Sequence, residues 1–378
     1  MTAGIAGQLV LEWLSARPNG PASRIHIVCD FDGDGLTSGA LLVRALRSAR
    51  YVYVTAECRR KGESVWGPEI GGRLRHRAST HGIDGLVVAD LGSRGGVLLV
   101  DDAGHPMPLL LIDHHRPTGQ PPGSTLISSY GDGTPGGDGR DIATSGLMSW
   151  WAARAVAGEA ADEWLWLAAV SMLSDLGDQA PFSELAAAKS RFGLTPLRKA
   201  TSLLNALRRT SAGRADVALA LLIDASGPKE VTDGTRPETA ELQRGKAEVN
   251  EELARARKQP PRFSTALRSE LGADLVAVRI HSACQVHPLI AQQWRGRFPK
   301  HIVFGVNTGY RPGWVHFSAR GPAGVNLIEF LGRHRPPEAD DAYGRGHDQA
   351  SGGALPVPVW NRWIQGMGFG GEMRVSEE

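Results

Sequence analysis

Cysteine is scarce in this sequence. Cys29, Cys58 and Cys284 are far apart and form no Cys-x-x-Cys pair. That excludes a disulfide-stapled scaffold and argues against a thiolate zinc site or a redox motif. Long apolar runs are also missing: no stretch reaches the roughly 18 apolar residues of a membrane span. The N-terminal MTAGIAGQLVLEWLSARPNG has no basic start and carries Glu12 inside its apolar run. It reads as an amphipathic helix and not as a secretory leader. A reducing, intracellular setting, the cytoplasm, is the expectation, with no membrane partner. Excess charge of either sign is absent. Lys and Arg number 42 against 40 Asp and Glu, a net charge of +2, so any basic surface has to be local. No internal repeat is present.

What remains is the composition of a folded chain. Of 378 residues, 42% are hydrophobic and 22% charged, which excludes wholesale disorder and leaves room for two or three domains. The 47 glycines imply many tight loops.

From Arg24 the pattern is strand, loop, helix. IHIVC (Ile25 to Cys29) meets DFDGDG, and LTSGALLVRALRSAR then has helical spacing. YVYVTAEC (Tyr51 to Cys58), GLVVADLG (Gly85 to Gly92) and PLLLIDHH (Pro108 to His115) read as further strands. Strands apolar on both faces and alternating with helices predict an α/β fold with a mostly parallel sheet. Ligands of such sheets sit outside the carboxyl ends of the strands. Three of these runs end there in Asp or His. A single such Asp is more often a helix cap; three together, one followed by His-His, point to a site.

Residues 119–140 are rich in Gly, Pro, Ser and Asp and read as a long surface loop. Two helical stretches follow, with Trp150, Trp151, Trp164 and Trp166 as core. Arg236 to Pro261 reads as a charged linker helix stopped by Pro-Pro. LVAVRIHS, HIVFGVN and VHFSAR then read as strands, with HPLIAQQWRGRF and GVNLIEFLGRH as helices. GRGHDQASGGAL reads as a glycine-rich loop beside a helix start. The expected domains are therefore 1–235, a linker helix 236–261, and a smaller α/β domain 262–378.

The polar residues at the strand ends are His26, Asp30, Asp32, Asp90, Asp113, His114 and His115, with Asp175 and Asp178 where a later helix breaks. Carboxylates and imidazoles without thiolate suit Mn²⁺ or Mg²⁺ better than a Cys-rich zinc centre. So many carboxylates at one edge would repel each other without a cation. Two metals about 3.5–4 Å apart relieve that repulsion and serve phosphoester hydrolysis.

DFDGDGLTS, VVADLG, LLIDHH and SDLGDQAP, in this order, resemble the four motifs of the DHH phosphoesterase superfamily. GRGHDQASGG is similar to the signature of the DHH-associated C-terminal domain, and HFSARG to the strand bearing its Ser-x-Arg. The first motif is closest to the RecJ branch of single-strand exonucleases.

The resemblance implies two Mn²⁺ ions, with Mg²⁺ as the substitute. His26, Asp30 and Asp90 would hold one, and Asp32, Asp90, His114 and Asp175 the other, with Asp90 bridging. Asp178 is the rival of Asp175, and Asp34 a second-rank residue or loop cap. His115 would contact the scissile phosphate and Asp113 would orient His114. In the second domain Ser318, Arg320, Gly344, Gly346 and His347 would grip substrate phosphate across a cleft between the domains.

The implied activity is end-directed hydrolysis of single-stranded DNA or RNA. Shorter members of the superfamily, nanoRNases and cyclic-dinucleotide phosphodiesterases, supply the alternative of short oligonucleotide substrates. A catalytically dead binding module would have lost ligand residues, and here each position is filled. Two features depart from the RecJ pattern. Only residues 356–378 follow the Gly-Gly-Ala-Leu stretch, too few for the oligonucleotide-binding barrel of longer members, and Arg345 stands where glycine is common. Arg59, Arg60, Lys61 and Trp66 are candidates for strand contacts, the alternative being an ordinary exposed loop.

Overall fold

The computed structural model describes residues 1–101, 103–130, 142–268, 272–340 and 343–376, and only the backbone of residues 266–268 and 347. The chain divides into two compact units. The first comprises Met1–Arg208 and Gly213–Gly245, the second Arg209–Ala212 and Lys246–Glu378.

The first unit is built on a five-stranded, all-parallel sheet. Its strands are β1 (Ile25–Cys29), β2 (Val54–Cys58), β3 (Gly85–Ala89), β4 (Leu109–Asp113) and β5 (Thr125–Ser128), in spatial order β2-β1-β3-β4-β5. Ten helices follow the chain: α1 (Ala3–Ser15), α2 (Gly33–Ser48), α3 (Pro68–His81), α4 (Ser145–Ala157), α5 (Leu165–Asp175), α6 (Ser183–Phe192), α7 (Leu194–Leu207), α8 (Ala215–Asp224), α9 (Pro228–Thr232) and α10 (Pro237–Ala256). The division between the units falls inside α10.

Both faces of the sheet are covered, which is why its strands are apolar throughout. Ile25, Ile27, Cys29, Val87, Ala89, Leu110 and Ile112 share a core with residues of α1, α2, α4, α5, α7 and α8. The alternate residues Val28, Leu86, Val88, Leu109 and Leu111 pack with Ile70 and Leu74 of α3. This period of two is the pleat of the strand. Trp150, Trp151 and Trp166 are core residues and Trp164 packs against the core, as read from sequence.

Two expectations change. Thr125–Ser128, read as loop, is the fifth strand, paired with β4. It is only four residues long and lies between glycine- and proline-rich flanks, so its period is too short to read. The rest of that expected loop, 131–140, lies outside the described residues. At β2, only Val54–Cys58 of the expected Tyr51–Cys58 is strand.

The second unit carries a six-stranded mixed sheet: β6 (Pro261–Arg268), β7 (Asp274–Ile280), β8 (Ile302–Arg311), β9 (Trp314–Arg320), β10 (Arg345–His347) and β11 (Ala350–Pro356), in order β10-β11-β9-β8-β7-β6. Only β7 and β8 run parallel. Helix α11 (His287–Arg297) packs on β8, while α12 (Leu327–Arg333) and α13 (Val357–Gly366) supply Leu327, Phe330, Trp360 and Trp363 to a core with Phe304 and Phe317. Residues 345–356, expected as loop and helix start, form the β10–β11 hairpin. Their glycines meet close backbone: a Cβ on Gly352 would sit 2.5 Å from the Phe317 carbonyl oxygen. No helix among the described residues is long and apolar enough to cross a membrane.

In the first unit, α4 and α5 meet through Gly146, where an added Cβ would lie 2.5 Å from Cβ of buried Ser171. Overpacking of this kind costs typically about 1–3 kcal/mol. Gly146→Ala should lower the urea unfolding free energy by that amount. Unchanged stability would show that α4 and α5 separate freely.

Candidate metal centre

The carboxyl edge of the parallel sheet gathers the titratable groups. Asp30 follows β1 directly and Asp32 caps α2, its Oδ1 accepting from the Asp34 and Gly35 amides at 3.1 and 3.2 Å. A carboxylate at this position is favoured by the partial positive charge of a helix N-terminus. Gly35 is required because a Cβ there would fall 2.5 Å from Cβ of Asp30. Asp90 follows β3 and has φ +64°, a left-handed conformation that Asp and Asn tolerate best among side-chain-bearing residues. That turn sends its carboxylate under α4, where Oδ1 accepts from Ser145 Oγ at 3.0 Å.

Three overlapping groups of possible ligand atoms result, each within 4.8 Å of one another: Asp30, Asp32 and Asp90; Asp90, His114 and His115; Asp34, His114 and Asp175. His114 Nε2 lies 3.5 Å from both Asp90 Oδ1 and Asp175 Oδ2. Asp178 is elsewhere, paired with Arg198. Asp34, expected as a second-rank residue or cap, is fully buried and belongs to the third group. Its Oδ1 accepts from the Gly146 amide at 2.7 Å and Ser171 Oγ at 2.6 Å, and its Oδ2 from the Ser145 amide at 3.0 Å. The N-terminus of α4 thus points at this carboxylate. Its first-turn position on α2 gave no sequence signal, because a cap and a ligand look alike there.

His26 is not brought to these groups. It lies near the start of β1, four residues and so about 13 Å of extended chain before Asp30. Its Nδ1 is 2.8 Å from Thr55 Oγ1 and its Nε2 is 3.7 Å from Glu57 Oε1. The resemblance to the family motifs had placed it with Asp30. Asp113 differs in partner: its Oδ1 lies 2.9 Å from Nδ1 of His115, not on His114 as expected, and also accepts from the Gly92 amide. Asp34 is the carboxylate beside His114 Nδ1, at 3.8 Å.

Burial and mutual repulsion set the charges. Asp90 and Asp175 are held well above the usual carboxylate range, first by burial and then by Asp34 and Asp32. Asp34 is raised by burial, which His114 and Ser171 only partly offset. Burial likewise opposes the charge of Asp32, but Arg208, the Gly35 amide and Arg59 outweigh it, and its pKa is lowered. Burial lowers His114. Surrounding protein also disfavours charge on His115, but the Asp113 hydrogen bond and the nearby carboxylates prevail and raise it to about 9.

Two arginines flank the Asp30–Phe31–Asp32 turn. Arg59 pairs with Asp30 and sits 3.8 Å over the Phe31 ring, and Arg208 lies 3.7 Å from Asp32 and 5.4 Å over that ring. Trp66 donates Nε1 to the carbonyls of Leu91 and Gly92. Arg59 and Trp66 are thus tied into the loops around the cluster.

The donor set fits divalent cations of the Mn²⁺ or Mg²⁺ kind. It offers carboxylate oxygens and imidazole nitrogens without thiolate, and carboxylates this crowded retain protons unless a cation joins them. Asp113 Oδ2 is buried without a hydrogen-bond partner.

In the second unit, strand register places the expected phosphate-gripping residues in adjacent rows. Arg320 pairs with Ala350, which pairs with His347; Ser318 pairs with Gly352, which pairs with Arg345. Arg320 donates to Gln292 Oε1, Ser318 Oγ and the Ala319 carbonyl at 2.8–3.1 Å. Among the described residues its Nη2 makes no hydrogen bond. Gly344 and Gly346 both have positive φ, and a Cβ on Gly346 would lie 2.3 Å from the Ala350 carbonyl oxygen.

The raised carboxylates and His115 fix a sign. Each contributes stability that is complete below its unfolded value, near 4 for the carboxylates and 6.5 for His, and is lost as pH rises through its folded value. Asp32, His26 and His114, all lowered, run the other way, but their contributions are complete above about pH 6.5. Chelated protein should therefore lose melting temperature between about pH 6.5 and 9, the range set by His115 and the raised carboxylates. Saturating Mn²⁺ should restore it and flatten the slope. Asp90→Asn keeps the left-handed turn; it should stabilise the chelated protein and abolish the Mn²⁺-induced shift. An equal Mn²⁺ shift in both proteins would remove Asp90 from the metal centre.

Residues 24–170 match the model of the DHH family, N-terminal domain. No curated protein matches the chain. Among solved structures, exonuclease RecJ bound to manganese shares the fold with a TM-score of 0.64 at 20% identity, over 97% of this chain and 94% of that one. RecJ from Thermus thermophilus in complex with Mn²⁺ gives 0.65 at 20% identity over 97% of this chain but 54% of that one, so the chain spans about half of that relative. The DHH domain of a member of the s1p family of ribosomal proteins gives 0.63 at 14% identity, over 96% and 89%. Residues 24–170 are thus a DHH family N-terminal domain, within a chain that has the fold of RecJ.

Proposed function

We propose that the protein is a two-metal phosphodiesterase that hydrolyses single-stranded nucleic acid from an end. The observation carrying this reading is the convergence of Asp30, Asp32, Asp34, Asp90, His114 and Asp175 in overlapping ligand groups at one sheet edge, with His115 fixed beside them. Asp30, Asp32 and Asp90 would hold one ion, and Asp34, His114 and Asp175 the other. Asp90, which groups with Asp30 and Asp32 and separately with His114 and His115, would serve both ions. The ions, Mn²⁺ in preference to Mg²⁺, would supply an activated water and neutralise charge on the scissile phosphate.

The chain's own residues prepare that chemistry. Asp113 holds His115 by Nδ1, which leaves Nε2 to donate to a phosphate oxygen on which charge builds. The Ser145 and Gly146 amides and Ser171 hold Asp34 in place beside His114. In the second unit Arg320 would bind a substrate phosphate through Nη2, with Ser318 and Gln292 fixing the rest of its guanidinium. The glycines at 344 and 346 would let the backbone before His347 approach that phosphate closely.

The test is a ladder experiment with 5′- or 3′-labelled DNA and RNA, from dinucleotides to 30-mers, single-stranded and duplex. Mn²⁺ should give stepwise shortening of single strands from one end. Chelation and Asp90→Asn should each abolish it. Arg320→Ala should leave metal content unchanged and raise KM about 10- to 150-fold, the usual loss for a charge-assisted contact. Cleavage confined to substrates shorter than about five nucleotides would replace the exonuclease reading with an oligonucleotide phosphodiesterase. Undiminished activity after exhaustive chelation would overturn the two-metal reading itself.

A further inference from the structure

Charge is segregated in the second unit. From Leu275 to Ile328 there is no Asp or Glu, and from Leu253 to Arg268 there is none. These segments meet at one corner of the unit. Arg257, just past α10, donates to Gln293 of α11 at 3.0 Å. Phe263 of β6 is 49% exposed and packs edge-on against Phe298 and His301, with ring centroids 5.4 and 6.0 Å away. Beneath them Phe298 stacks on Trp294 at 5.7 Å, and the Arg297 guanidinium caps that Trp ring at 4.6 Å. Lys300 is exposed on the same loop. Among the described residues Arg257, Arg297 and Lys300 form no ion pair.

We infer that this corner of the second unit is a binding surface for single-stranded nucleic acid, made of residues other than those of the metal centre and Arg320. The choice of ligand rests on the activity proposed above; the binding itself does not need that activity. An exposed aromatic ring amid unneutralised cations suits a chain of bases and phosphates. Phe263 offers a base a stacking face, and Arg257, Arg297 and Lys300 offer phosphates a line of positive charge. Stacking and backbone charge dominate such a group, so binding should depend little on sequence.

The experiment is fluorescence anisotropy of labelled oligothymidylates of 4 to 20 nucleotides with full-length protein in chelator, where no cleavage occurs. Binding should weaken with salt. Phe263→Ala should lose about 5- to 150-fold in affinity, the range for one stacked base, and Phe263→Trp should retain it. Arg297→Glu with Lys300→Glu should lose more and flatten the salt slope by about 0.7 per removed phosphate contact. Cleavage of a dinucleotide by these variants should stay at the wild-type rate, which also shows that they are folded. Wild-type affinity in Phe263→Ala and in the double variant would overturn the inference, as would no binding by wild type at any length. Lost hydrolysis with intact binding would overturn only the proposed activity.

Discussion

Negative charge that cannot disperse is the constraint on which the first unit depends. A parallel sheet covered on both faces leaves its carboxyl edge as the place where polar side chains collect. Here aspartates arrive from the ends of β1, β3 and α5 and the start of α2 within a few ångströms. The surrounding structure answers that charge in three ways. The N-termini of α2 and α4 aim amides at Asp32 and Asp34. Arg59 and Arg208 flank Asp30 and Asp32. Asp90 and Asp175, which no arginine or lysine pairs with among the described residues, are left with raised affinity for a proton or a metal.

The ends of β1, β3 and β4 were legible because each apolar run stops abruptly at Asp or His. Asp175 was legible as the residue at which α5 stops. What escaped the sequence was distance. His26 has the strand parity of Asp30 but sits at the wrong end of β1, a separation that parity does not encode. Asp34 escaped because its partners, the Ser145 and Gly146 amides and Ser171, come from more than a hundred residues away. The β10–β11 hairpin escaped because its glycines signal loops by propensity. Their actual cause is tertiary, the close backbone around Gly346 and Gly352.

Net charge leaves the place of any basic surface open. A total of +2 conceals an acid-free run of more than fifty residues in the second unit, offset by acids elsewhere. Averages over the chain erase the segregation on which a polyanion-binding surface depends. The aromatic residues of that corner are likewise ordinary in composition. Their meaning comes from β6, α11 and the loop after it placing Phe263, Phe298 and Trp294 in sequence against one another.

Phe31 looks like filler between two aspartates, yet two arginines approach its ring, and each lies by a different carboxylate. The ring offers both cations a π-surface beside those carboxylates. The turn therefore has resident counter-ions before any metal arrives, and an entering divalent ion has to displace guanidinium from Asp30 or share it. A smaller side chain at position 31 would take that π-surface from both arginines at once and leave each with its carboxylate alone.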